Sequence, residues 1–193
     1  MADQVTAQDK GQSFKAHDEG QFTAVCVDTV DLGERVEQYQ GQPARIAAKC
    51  ALVFVSNTDG ETRDVSIEAT VSMNEKAKLR GFLEAWRGKG YTLDQAKAGV
   101  PLHKLVGVPA LISVEHKTSA KGRTYAHIRT IAPLPKGMHA PDSDGYKRPD
   151  FWAERKKQYA EEAKKWAAQM LAKSDEPPLP PEDEGDPDDA LPF

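Results

Sequence analysis

The chain has 193 residues with 26 basic and 30 acidic side chains, for a net charge of −4, a size that suits one domain with appendages. The polar start over residues 1–19 has no apolar export core, and no run reaches the ~18 apolar residues that span a bilayer, so a cytosolic protein is expected. Cys26 and Cys50 stand singly inside apolar runs, which fits buried reduced thiols and excludes a disulfide framework or a C-x-x-C pair.

Residues 1–20 read as a flexible arm. Residues 21–30, Gln-Phe-Thr-Ala-Val-Cys-Val-Asp-Thr-Val, are rich in β-branched and aromatic side chains and predict a first strand. A turn-rich linker with Gly33 and Gly41 follows over residues 31–43. Residues 45–56 predict a second strand, and Asn57-Thr58-Asp59-Gly60 is a turn signal before a third at residues 63–72.

Asn74 is placed to cap a helix running to about Arg87, where Ala77, Leu79, Phe82, Leu83 and Trp86 recur at helical spacing and read as core; Gly88 and Gly90 end it. A short helical piece from Asp94 and a connector lead to a strand at residues 109–116. A polar turn at 117–122 then joins a last strand at 123–131. The order β-β-β-α-β-β matches the oligonucleotide-binding fold, a five-stranded Greek-key barrel with its helix between the third and fourth strands. The barrel domain is placed at residues 21–133.

Residues 134–149 form a Pro/Gly/Asp-rich linker, and residues 150–173 predict an amphipathic helix of roughly 33 Å at ~1.5 Å per residue. Trp152, Tyr159 and Trp166 recur every seven residues, with Ala163 and Met170 filling intermediate positions of the same stripe. Such a stripe packs either on its own barrel or on a second subunit, so a homodimer or larger homo-oligomer is open.

Residues 174–193 contain eight acids, six prolines and no Lys or Arg, a composition that disfavours helix, strand and core. A disordered acidic tail is expected. Removing its eight acids leaves 22 acidic against 26 basic residues, so the body carries +4 and the sign of the charge reverses between body and tail. A basic body suits a nucleic acid partner, and the tail can compete for the same groove.

The tail ends Asp188-Asp189-Ala190-Leu191-Pro192-Phe193, which resembles the C-terminal tip of bacterial and phage single-stranded DNA-binding proteins. In that family, aspartates followed by an apolar residue, Pro and Phe dock on replication, recombination and repair proteins. The resemblance implies that Phe193 and Leu191-Pro192 fill an apolar pocket on a partner, while Asp188 and Asp189 meet its basic rim. Ala190 dilutes the acidic run slightly. A barrel followed by a long amphipathic helix and an acidic tail resembles the phage members of the family more than the bacterial ones.

On the last strand Arg123, Tyr125, His127 and Arg129 share one face, and on the second Arg45 and Lys49 form a basic edge opposite Ile46, Cys50, Leu52 and Phe54. Lys117 and Lys121 lie in the hairpin before the last strand, and Arg35 and Tyr39 in the loop between the first two. Cations at these positions would neutralise phosphates and the tyrosines would stack on bases.

Enzyme signals are weak. Pro149-Asp150 with Glu154-Arg155-Lys156 imitates a nuclease motif, but its carboxylates belong on adjacent strands rather than on one helix, where Asp150 serves as a cap. The sequence has no phosphate-binding Gly-x-x-x-x-Gly-Lys loop; the five histidines have no zinc spacing, and Asp142-Ser143-Asp144-Gly145 is only a fragment of a calcium loop. No cofactor or metal is expected. The reading is a non-catalytic protein that coats single-stranded DNA and recruits partners through its tip. The alternative is an adaptor or strand-annealing protein whose barrel contacts proteins or pairs complementary strands.

Overall fold

The structure is a computed structural model and describes residues 16–38, 41–58, 60–119 and 122–174. Five strands, β1 (Gly20–Glu37), β2 (Arg45–Thr58), β3 (Glu61–Thr70), β4 (Pro109–Thr118) and β5 (Thr124–Ala132), form one antiparallel sheet in the order β3-β2-β1-β4-β5. Between β3 and β4 lie α1 (Lys78–Arg87), α2 (Leu93–Ala98) and a 3-10 turn (Leu102–Leu105); α3 (Phe151–Ser174) follows the linker. Among the described residues no helix is long and apolar enough to cross a membrane.

The class is mainly β, with the expected strand number and helix position. Closure differs from the expectation: β3 and β5 touch, yet among the described residues no hydrogen-bonded ladder joins them, so the sheet is open along this seam. The helix α1 contacts both edge strands. Alternate residues of the strands, among them Ala24, Cys26, Leu52, Phe54, Ile67, Ile112, Val114 and Ile128, bury one face against Leu79, Leu83 and Trp86 of α1. Each large side chain so buried contributes about 1.5–3 kcal/mol. Trp86 also donates its Nε1–H to the carbonyl of Pro109 at 2.9 Å, so its one polar atom is satisfied.

The opposite face is covered too. Val30, Leu32, Ala51 and Val53 pack against Trp152 and Tyr159 of α3. This explains why residues 50–55 are apolar without alternation: β2 is buried on both sides. The first half of the α3 stripe therefore packs on its own sheet, with Trp152, Tyr159 and Ala163 buried, whereas Met170 is exposed.

Polar bonds fasten the same helix. Arg148 reaches Asp28, Lys156 reaches Asp31 at 2.7 Å, and Glu68 takes bonds from Arg155 and from the Tyr159 hydroxyl, the latter at 2.9 Å. Asp150 stands at the start of α3, its carbonyl accepting from the N–H of Ala153 at 2.9 Å and of Glu154 at 3.3 Å. Asp150 and Glu154 thus share one helical turn.

Three boundaries depart from the sequence reading for local reasons. First, β1 continues through the supposed linker to Glu37, because Gly33 is part of a bulge: the register slips between Asp31 and Gly33, Gly33 has φ of 71°, and its N–H bonds to Asp31 Oδ1 at 2.9 Å. Second, α1 starts at Lys78 rather than after Asn74. The Asn74 Oδ1 accepts from Lys76 N–H at 3.1 Å and its carbonyl accepts from Ala77 N–H at 2.9 Å, so it makes a turn and caps nothing. Third, the arm expected through Gly20 is fastened from residue 16. Buried His17 donates from Nδ1 to the Asp18 carbonyl at 2.8 Å and takes the Ser56 hydroxyl at Nε2, while its own carbonyl accepts from His116 Nε2 at 2.7 Å.

Candidate nucleic-acid interface

The β4–β5 hairpin gathers most of the basic and aromatic residues singled out from sequence. Across its ladder Lys117 stands opposite Tyr125 and Glu115 opposite His127. Tyr125 is 46% exposed, which leaves its ring available as a stacking surface. The hairpin loop is held by Ser119, whose N–H donates to the Arg123 carbonyl at 2.9 Å and whose hydroxyl accepts from the Arg123 N–H at 3.1 Å. Arg123 is thereby fixed by its backbone and exposed by its side chain.

A second bulge shapes the far end of this face. Ser113 pairs with Thr130 but Val114 pairs with Ile128, which leaves Arg129 as the extra residue of β5. Because of that insertion Ile128 and Ile131 both point into the core, and the Arg129 side chain stands 70% exposed. Glu115 lies between two cations, 3.2 Å from Lys117 and 3.8 Å from Arg129. Pairs this exposed contribute little to stability, but the carboxylate does subtract charge from the face.

Sequence reasoning missed Lys78. It opens α1 and donates from Nζ to the backbone carbonyl of Glu68 at 3.2 Å, on the edge strand β3. Burial holds the Lys78 amine below its ordinary pKa, and the charges of Lys117 and Lys49 lower it further, against an opposing pull from Glu68. Burial likewise lowers the pKa of His127, helped by Lys117 and Lys78 and opposed by Glu115. Lys78 of α1 and His127 of β5 thus both lie in the field of Lys117 of β4, an arrangement that no linear spacing reveals.

The remaining candidates are placed differently. Arg35 stacks over the Tyr159 ring at 4.8 Å and donates to its hydroxyl at 3.4 Å, so it serves the seat of α3. Lys49 is bonded to Glu37 and to the Thr70 hydroxyl, the latter at 3.0 Å. Arg45 pairs with Glu37 across β1 and β2, away from the β4–β5 face. The expected basic edge on β2 is thus engaged within the protein, on a face shared with α3. Tyr39 and Lys121 lie outside the described residues, as do Asp188, Asp189, Leu191, Pro192 and Phe193.

Between α1, β3 and β5 the open seam forms a cleft of about 430 Å³. Ile67, Phe82, Ile128 and Ile131 give it an apolar lining; Lys78 and Arg129 give it a cationic one, with the His127 imidazole beside them. The cleft adjoins the Tyr125 face through β5. Among the described residues no group of His, Cys, Asp and Glu is placed to hold a metal ion. No protein-family model matches the chain, and no curated protein matches it.

Proposed function

We propose that this chain is a non-catalytic single-stranded DNA-binding protein built on an oligonucleotide-binding fold, in which the seam between β3 and β5 is left open. The strand order β3-β2-β1-β4-β5, with α1 between β3 and β4 and against both edges, supports that fold reading. The observation that carries the function is the pairing of half-exposed Tyr125 with Lys117 on a face that also bears Arg123 and Arg129. A ring for stacking among cations for phosphate suits a flexible strand and needs no base sequence.

Since α3 covers the outer face of β1 and β2, the strand runs over the β4–β5 hairpin and the seam rather than over Arg35 and Lys49. The acidic tip, with Phe193 last, recruits cytosolic replication, recombination or repair proteins to the coated strand. The alternating charge of body and tail keeps the two loosely associated until DNA displaces the tail. Fluorescence anisotropy with labelled single-stranded and duplex oligonucleotides tests the reading. Preference for the single strand with a marked salt dependence is expected; equal affinity for both forms, or none for either, contradicts it.

A further inference from the structure

The seam is open for a physical reason. The helix α1 lies against both edge strands, and the Lys78 amine donates to the Glu68 carbonyl on the β3 edge, where a neighbouring strand would otherwise bond. What remains is a hollow of about 430 Å³, within the ~300–1,000 Å³ of small-ligand sites. Its wall on α1 includes Gly81, where an added Cβ would meet no atom within 4 Å. Phe82 lines the hollow beside it and packs on the Phe54 and Trp86 rings, with centroids at 6.1 and 6.5 Å.

The charge around this hollow is unbalanced. Glu68, the carboxylate acting on Lys78, is already bonded to Arg155 and Tyr159 of α3. Lys78 forms no ion pair among the described residues, and Arg129 has only Glu115 at 3.8 Å. An apolar hollow with two such cations fits a planar uncharged ring joined to an anion.

We propose that the seam cleft is a nucleotide subsite: one base of the bound strand enters against Phe82, Ile67 and Ile131, and the adjoining phosphate lies between Lys78 and Arg129. The proposal rests on the single-strand reading and adds to it a pocket distinct from the Tyr125 surface. The two are continuous along β5, since Tyr125, His127 and Arg129 lead from one to the other. A strand stacked on Tyr125 therefore reaches the cleft within a few nucleotides. Insertion of one base would also fix the register of the strand on the protein, which a flat stacking surface does not do.

The test is an NMR titration of the full ¹⁵N-labelled chain with a thymidine trinucleotide. Amide signals of Gly81, Phe82, Ile128 and Thr130 are expected to shift. Gly81→Leu fills the cleft while improving helix propensity, so the variant stays folded; it should abolish those shifts and weaken binding about tenfold, the scale of one lost base contact. Seam signals that stay still while Tyr125 and Lys117 move overturn the subsite and leave the single-strand reading standing. No shift anywhere defeats both. Seam signals that move with the peptide Asp-Asp-Ala-Leu-Pro-Phe, and not with the trinucleotide, overturn the proposal in favour of the chain's own tip.

Discussion

Arg148 and Asp28 form a two-pronged ion pair, Nε to Oδ2 at 2.7 Å and Nη2 to Oδ1 at 2.5 Å, that ties the linker before α3 to the middle of β1. The Tyr146 hydroxyl adds a third bond to Asp28 Oδ2 at 3.3 Å. Asp28 is buried, so its charge depends on these partners.

Asp28→Asn should loosen α3 and cost about 1–2 kcal/mol, the range of a partly exposed charge-assisted pair. The hydrogen bonds from Arg148 hold the Asp28 carboxyl below its ordinary value of 3.8. A lowered native pKa stabilises the fold above the unfolded value, and that contribution is lost as pH falls below 3.8. Lys156 depresses Asp31 in the same way. Chemical denaturation of the wild type should lose stability as pH is lowered through this window; an Asp28→Asn chain should lose less. Identical pH profiles would show that the clamp contributes nothing.

Trp152 separates packing from hydrogen bonding. Its side chain is buried between α3 and the sheet, yet Nε1 has no hydrogen-bond partner among the described residues. Trp152→Phe removes an unpaired donor together with some apolar surface and should cost under about 1.5 kcal/mol. Trp152→Ala leaves a cavity and should cost about 3–5 kcal/mol. Urea denaturation of both variants distinguishes them, and equal losses would refute this account of the seat of α3.

Glu115 makes the DNA reading testable in the direction of gain. Its removal frees Lys117 and Arg129 from the one carboxylate between them. Glu115→Gln should bind a single strand more tightly at low salt, and Tyr125→Ala should bind more weakly by about 1–3 kcal/mol. If neither substitution changes the anisotropy titration, the strand does not use this face.

For the tip, deletion of Phe193 should abolish capture of partner proteins and leave DNA affinity intact. Deleting residues 174–193 should raise DNA affinity at low salt, since eight carboxylates no longer compete with phosphate. Pull-down and anisotropy on the same preparations check both; equal loss of both activities on removing Phe193 would contradict the division of labour.

The succession of strands and helices along the chain was legible because β-branched runs and turn residues are local signals, and the apolar spacing of α1 marked its buried face. The extent of β1 was hidden by Gly33, which looks like a turn in sequence and serves a bulge in the sheet. The double burial of β2 left a trace in its unbroken apolar run, but its reason, the seat of α3, is a contact between distant segments. The basic face on β5 could be read from alternation through Arg129. After it the bulge breaks the period, so that Ile131 returns to the core, and Lys78 joined the group only through the approach of α1 to the open edge.

The most direct test of the central claim is the affinity of the full chain for a labelled oligo-dT across a range of salt concentrations. Neutralising phosphates with Lys78, Lys117, Arg123 and Arg129 predicts that log K falls linearly with log salt at a slope of about −3. The same slope should become shallower by roughly 0.7 in Lys117→Ala. Binding that is absent, or insensitive to salt, would contradict the account.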